Sequence, residues 1–197
     1  MKRWPGEFCV EQNELLRYTI KAFEALGIDY LIGGSLASSV YGEPRLTNDI
    51  DIVVDLKPEH IPGILSKFDP KEFHVDEEAI RQALSRNGQF NIIHPSSGYK
   101  IDLFISGEDP FVRSELVRRR RLEAPDGEHA FFASPEDVIV KKMEYFRIGE
   151  SERQLRDIIG VLHVQGKQLD RDYIHHWASE LGLVGVWEAV LKRVGEG

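Results

Sequence analysis

Leu15, Leu16, Tyr18, Ile20, Phe23 and Leu26 recur at helical spacing. The pattern predicts a helix from about Val10 to Leu26, with Gly27 as its stop. A short apolar run from Asp29 to Ile32 reads as a strand, and GGSLASSVYG after it reads as a tight turn running into a helix. RLTNDIDIVVDL is the next strand, dense in β-branched residues. PEHIPGILSKF predicts a helix with Pro58 in its first turn. QFNIIHPSSGYKIDLFI predicts two strands joined by the turn HPSSGY. FFASPEDVIVKKMEYFR predicts a strand fragment and then a helix, with Ser134 as N-cap, Pro135 at its first position and Glu136 and Asp137 at its N-terminus. Further helices are expected over Ser151 to Val164 and Asp170 to Val194. The whole is α+β: a mixed sheet flanked by helices, followed by a C-terminal helical part. We place the division at residues 1–133 and 134–197, with no flexible linker, so the helical part is expected to pack on the sheet.

Against that pattern a few polar residues stand out. Asp49 and Asp51 interrupt an apolar strand, and because strand side chains alternate they share one face, with Ile50 and Ile52 on the other. Two adjacent carboxylates repel, and burying them without a cation is costly. They are either solvated acids at a strand end or half of a divalent-metal site. Asp102 sits between Ile101 and Leu103, on the strand face it shares with Lys100 and Phe104. If that strand lies beside the first, Asp102 can complete a triad with Asp49 and Asp51; the plainer reading is a salt bridge with a neighbouring Arg or Lys. Gly33 and Gly34 permit a backbone that offers N–H groups to an anion, and Ser35 adds a hydroxyl at the following helix N-terminus. Such a turn also arises for steric reasons alone. Mg²⁺ binds oxygen ligands, commonly one or two carboxylates plus substrate phosphates. Three carboxylates and a phosphate-binding turn therefore make chemical sense together, with two metal ions offsetting the repulsion of the acids.

Charge and composition narrow the function classes. The formal net charge of −8 and pI near 5.4 argue against a whole-surface nucleic-acid binder, while leaving room for a local basic patch. A single cysteine, Cys9, excludes an internal disulfide and a cysteine-built zinc site, in keeping with a reducing, cytoplasmic setting. No apolar run is long enough to span a membrane, and the opening MKRWPGEFCVEQ has no signal-peptide core. His163, His175 and His176 fall on predicted helices without ligand spacing and read as core or surface residues; Trp177 and Trp187 read as packing residues. Arg118 to Arg121 form either a solvated helix face or the border of a nucleic-acid groove. Lys141 and Lys142 are adjacent on a helix, so at most one of them is expected to face a site.

Taken together, GGS at Gly33–Ser35, TNDIDI at Thr47–Ile52 and the acid of KIDLF resemble the DNA polymerase β-like nucleotidyltransferase superfamily. The fuller run GGSLASSVYGEPRLTNDIDIVV, with RRRRLE, FFASPEDVIVKKMEYF and RQLRDI, resembles a minimal bacterial branch that includes AbiEii-type nucleotidyltransferase toxins of toxin–antitoxin systems. The resemblance spans about Asp29 to Leu162 and implies a nucleotidyltransferase fold. It implies that Gly33, Gly34 and Ser35 bind nucleotide phosphates, with Arg45 near phosphate or nucleobase, or else ion-paired with Glu43. It implies Asp49 and Asp51 as metal ligands and Asp102 as the third carboxylate, a general base or metal ligand. Lys142 corresponds to a helical lysine that neutralises triphosphate charge, and Asp157 to the acid of the last motif. Arg153 and Gln154 depart from the pattern, standing where a Lys–Asp pair is usual, and the stretch from Arg147 to Arg153 reads as an insertion. The implied activity is transfer of a nucleoside monophosphate from an NTP to a hydroxyl of an RNA 3′ end, a protein side chain or a small molecule, with Mg²⁺ as cofactor and an antitoxin protein as partner. The alternative is a non-catalytic nucleotide- or partner-binding module on the same fold.

Overall fold

The structure, a computed structural model, describes residues 10–124 and 126–195; Cys9 and the basic start of the chain lie outside the described residues. Helix α1 (Val10–Ala25) turns Leu15, Leu16, Ile20 and Phe23 into the core, as its periodicity predicts. Strand β1 (Tyr30–Ile32) is buried along its length and leads through Gly33 into α2 (Gly34–Tyr41). Strand β2 (Asp49–Val54) alternates, with Ile50, Ile52 and Val54 inward and Asp49, Asp51 and Val53 on the opposite, more open face. A single 3₁₀ turn, Pro58–His60, precedes α3 (Ile61–Lys67).

Helix α4 (Glu77–Arg86) falls where the apolar pattern predicted no element. It buries only Ile80 and Ala83, too thin a stripe to register, and is started by Asp76, whose carboxylate accepts from the Glu78 and Ala79 N–H groups. Strands β3 (Gln89–His94) and β4 (Tyr99–Ile105) form the expected hairpin. Helix α5 (Pro110–Arg118), strands β5 (Arg120–Glu123) and β6 (His129–Phe132), and helix α6 (Pro135–Gly149) follow. The Ser134 hydroxyl caps α6 by accepting from Asp137 N–H, as expected. The chain closes with α7 (Glu152–Gln165), α8 (Arg171–Glu180) and α9 (Val184–Arg193). The last two break the predicted Asp170–Val194 run at Leu181–Leu183.

The strands form one six-stranded mixed sheet in the order β3-β4-β2-β1-β6-β5. Parallel pairing of β2 with β4, and of β1 with β6, joins strands that antiparallel neighbours flank. The β2–β4 register sets Asp51 opposite Asp102 and Asp49 opposite Lys100. Helix α7 lies tight against the end of α2: a side-chain carbon at Gly42 would meet the Val161 backbone nitrogen at 2.8 Å. That approach sets the middle of α7, from Asp157 to Val161, against the residues that follow α2.

The arginine run is not one helix face. Arg118 ends α5, Arg119 links, and Arg120 and Arg121 lie on β5. Arg118 and Arg120 both donate to Glu136 Oε2, at 3.3 and 3.2 Å, and Glu136 is only 1% exposed. Arg119 pairs with Asp29 at 2.7 Å. Arg118 and Arg120 thus fasten α5 and β5 to α6, because a buried carboxylate needs cations, and Arg119 ties the run to the segment before β1. None of the described helices is long and apolar enough to cross a membrane.

Candidate active site

A cleft of about 920 Å³ opens on the Asp49–Asp51–Val53 face of the sheet. Its floor is the cross-strand row Leu31, Val53 and Phe104, which the register places side by side. The turn Gly33–Ser35 with Arg45, Asp49 and Asp51 forms one end, and α5, α6 and the start of α7 form the walls. A volume near the upper end of the small-ligand range suits a nucleotide with part of a second substrate.

The turn and the second acid of β2 are locked together. Gly33 N–H donates to Asp51 C=O at 2.9 Å, and the Ser35 backbone N–H bonds the Asp51 carboxylate. Gly34 has φ +55°, in the left-handed region, and a Cβ there would lie 1.8 Å from Asp51 Oδ2. Glycine is therefore required twice over, by backbone conformation and by the carboxylate packed on it. Gly34→Ala is expected to displace Asp51, costing about 1–3 kcal/mol of stability by overpacking and backbone strain. Nucleotide affinity should fall with it; thermal unfolding and nucleotide titration check both.

Beside this turn lies a buried charge cluster that joins residues 112 positions apart. Asp157 on α7 accepts from Arg45 Nε at 3.1 Å and Nη2 at 3.2 Å, and from Lys142 Nζ on α6 at 2.8 Å. Arg45 also reaches the Ser35 hydroxyl. Arg45 thus pairs with Asp157 rather than Glu43, with the planar fork geometry that suits a carboxylate. Asp157 and Lys142 are 8% and 5% exposed. Burial lowers the Lys142 pKa, outweighing the Asp157 contact that raises it, and Arg45 lowers it further. Burial raises that of Asp157, but its bonds from Arg45 and Lys142 outweigh this and hold it below the usual carboxylate value. Two cations share one carboxylate, so the cluster carries a surplus positive charge beside the Ser35 end of the cleft.

The carboxylates are arranged less simply than a ready-made triad. Asp51 is half-buried, and burial, reinforced by the charges of Asp102 and Asp49, pushes its pKa up. Asp49 is exposed. Asp102 is buried, one oxygen 2.8 Å from Lys100 Nζ and the other, Oδ1, without a hydrogen-bond partner. Strand β4 lies beside β2 with Asp102 opposite Asp51, as the triad reading requires, and Lys100 pairs with the same acid, as the salt-bridge reading expects. Among the described residues no group of three or more His, Cys, Asp or Glu side chains is arranged to hold a metal ion. The donors nevertheless suit one: oxygen ligands on one strand face, a carboxyl disfavoured as an anion by its neighbours, and an orphaned buried carboxylate oxygen.

Of the residues singled out from sequence, Gly33, Gly34, Ser35, Arg45, Asp49, Asp51 and Lys142 line the cleft; Asp102 and Asp157 stand behind its surface. Lys141 also lines it, contrary to the expectation that only one of the lysine pair would. Helix α6 lies between α5 and α7, so two neighbouring faces of it border the cleft. Lys142 meets Asp157, while Lys141 pairs with Glu144 at 3.0 Å and lies near Glu115. The sequence reading missed Glu115 and Tyr145, which line the cleft with Arg153 and Gln154. Tyr145 stands three residues after Lys142 on one helix face, a signal that periodicity contained. Glu115, fully buried with its carboxyl pushed well up by burial, had no such signal, since it sits in a segment read only as basic. His163, His175 and His176 are exposed, and Trp187 is buried.

This mixed sheet, with a glycine turn and paired strand acids opening on one cleft, is the nucleotidyltransferase fold. The chain is similar to an antigenic nucleotidyltransferase-like protein from Paracoccidioides brasiliensis, at 19% identity over 94% of each chain with a TM-score of 0.55. It is similar to ANT(2'')-Ia in complex with adenylyl-2''-tobramycin, at 14% identity over 87% of this chain and 99% of that one, TM-score 0.57. It is also similar to the lincomycin-bound lincosamide antibiotic adenylyltransferase LnuA, at 15% identity over 80% of this chain and 98% of that one, TM-score 0.51. No protein-family model matches the chain, and no curated protein does.

Proposed function

We propose that the protein is a metal-dependent nucleotidyltransferase that moves a nucleoside monophosphate from an NTP to an acceptor hydroxyl and releases pyrophosphate. The observation that carries this reading is the Arg45–Asp157–Lys142 cluster, which sets surplus positive charge beside the Gly33–Ser35 turn and across from Asp49 and Asp51. In this reading Ser35, Arg45 and Lys142 hold the β- and γ-phosphates and so take up the charge of the departing pyrophosphate. Asp157 is a positioning residue, acting through the two cations it orients. Asp49 and Asp51 would hold Mg²⁺, which when bound neutralises phosphate charge and lowers the pKa of an attacking hydroxyl. Asp102, one strand over and paired with Lys100, would act as a positioning residue beside Asp51.

The acceptor in this reading is a small molecule. Three arginines of the basic run are consumed by internal ion pairs, which weakens the case for an RNA groove. The cleft itself has a small-ligand volume and an apolar floor. Two of the similar structures are an adenylyltransferase bound to lincomycin and a protein bound to an adenylylated tobramycin, which supports the same class here. The likeness of the motifs to AbiEii-type toxins supports an RNA 3′ end and an antitoxin partner instead.

The test is transfer of α-³²P label from each of the four NTPs, with and without Mg²⁺, to tobramycin, lincomycin and a 3′-hydroxyl tRNA. Mg²⁺-dependent labelling of a small molecule is the expected result. Labelling of the tRNA would keep the enzyme and replace the acceptor, supporting the toxin reading. Tight NTP binding with no transfer to any acceptor would favour the non-catalytic module.

A further inference from the structure

Lys100 precedes Asp102 by two residues on β4, so both side chains project from the same strand face. The β2–β4 register puts Lys100 beside Asp49, and Asp102 beside Asp51. The ammonium therefore stands in the field of three carboxylates. It bonds Asp102 at 2.8 Å and is the cross-strand neighbour of Asp49. Three carboxylates and one ammonium leave two net negative charges, which one divalent cation balances.

We propose that Lys100 serves as a built-in monovalent cation of the carboxylate site, so that Asp49 and Asp51 take one divalent ion and Asp102 is withheld from a second. The inference rests on the nucleotidyltransferase reading of the cleft and departs from the two ions expected of it. Three observations converge on it. Asp102 already has an ammonium 2.8 Å from one of its oxygens. It stands behind the cleft surface while Asp49 and Asp51 line it. Among the described residues the three acids, though close in charge terms, do not converge as a three-ligand metal group. A lysine in this place also has a use. A fixed charge on Asp102 orients that carboxylate without needing a second ion, and Mg²⁺ sheds its water reluctantly.

Mn²⁺, read by the electron paramagnetic resonance signal of the free ion, counts the sites independently of turnover. Wild type is expected to bind one ion, and Asp49→Ala/Asp51→Ala none. Lys100→Met should bind two, the second within about tenfold of the first in Kd, and Lys100→Met/Asp102→Asn should return to one. Lys100→Gln repeats the test with a second uncharged side chain, and circular dichroism checks that each variant is folded. Two ions in wild type, or one in both folded Lys100 variants, would overturn the inference and leave the nucleotidyltransferase reading standing. An ion that survives in Asp49→Ala/Asp51→Ala, or none in wild type, would overturn both.

Discussion

Asp51→Asn is expected to abolish transfer while making the protein more stable at neutral pH. The carboxyl is half-buried, and burial and the neighbouring charges of Asp102 and Asp49 push its pKa up. Its ionised form is thus disfavoured in the folded chain relative to the unfolded one. The cost is absent below the ordinary carboxylate pKa near 4, grows as pH rises through it, and is complete above the raised folded value. Asparagine keeps the shape and an oxygen to accept from Ser35 N–H, but not the charge. We expect a gain in the range of about 0.5–2 kcal/mol typical of relieving a functional site. That corresponds to about 2–4 °C in Tm per kcal/mol for a chain of this length. The gain should be seen at pH 7–8 and vanish near pH 3. Activity should fall by at least about 10²–10³-fold, the usual loss of an electrostatic transition-state group. A lower Tm at pH 8, or activity within tenfold of wild type, would show that this carboxyl is neither strained nor central.

Asp157→Ala should be the most damaging single change in the site. It removes the one carboxylate shared by Lys142 and Arg45 and leaves a nearly inaccessible ammonium uncompensated. Breaking a buried pair by deleting one partner costs about 3–5 kcal/mol, a fall of roughly 10 °C in Tm at 2–4 °C per kcal/mol. The Asp157 pKa is depressed by its two partners, so its contribution is present above the ordinary carboxylate value and lost as pH falls through the folded one. The gap between wild type and variant should therefore narrow below about pH 4. NTP affinity should drop as well, because both cations lose their orientation. Adding Lys142→Met to Asp157→Ala should restore part of the stability and none of the binding. A loss under about 1 kcal/mol, or a double variant no more stable than the single, would mean that the cluster is not coupled as the geometry implies.

Much of the fold was legible in the chain because it is written locally. The helical spacing of Leu16, Ile20 and Phe23, the alternation around Asp49 and Asp51, and the Ser134–Pro135–Glu136 start each depend on neighbours within a turn or two. Helix α4 was missed although its Asp76 cap is local too, because an apolar stripe of two buried residues says little against a charged background. At the site, the residue types were legible and their partners were not. Asp102 could be assigned to the right strand, but its ion pair with Lys100 could not be singled out. Arg45 offered Glu43 nearby, and the structure gave it Asp157, 112 residues away.

By itself, then, the sequence determined most of the element types, the face on which Asp49 and Asp51 project, and a glycine turn leading into a helix. Only the tertiary structure decided the pairing of charges: Asp157 between Arg45 and Lys142, the arginine run drawn onto Glu136 and Asp29, Lys100 on Asp102, and Lys141 as well as Lys142 at the cleft. Backbone periodicity is set by φ, ψ and near neighbours. A buried charge is satisfied by whatever opposite charge the packing brings within reach, and sequence distance does not enter Coulomb's law.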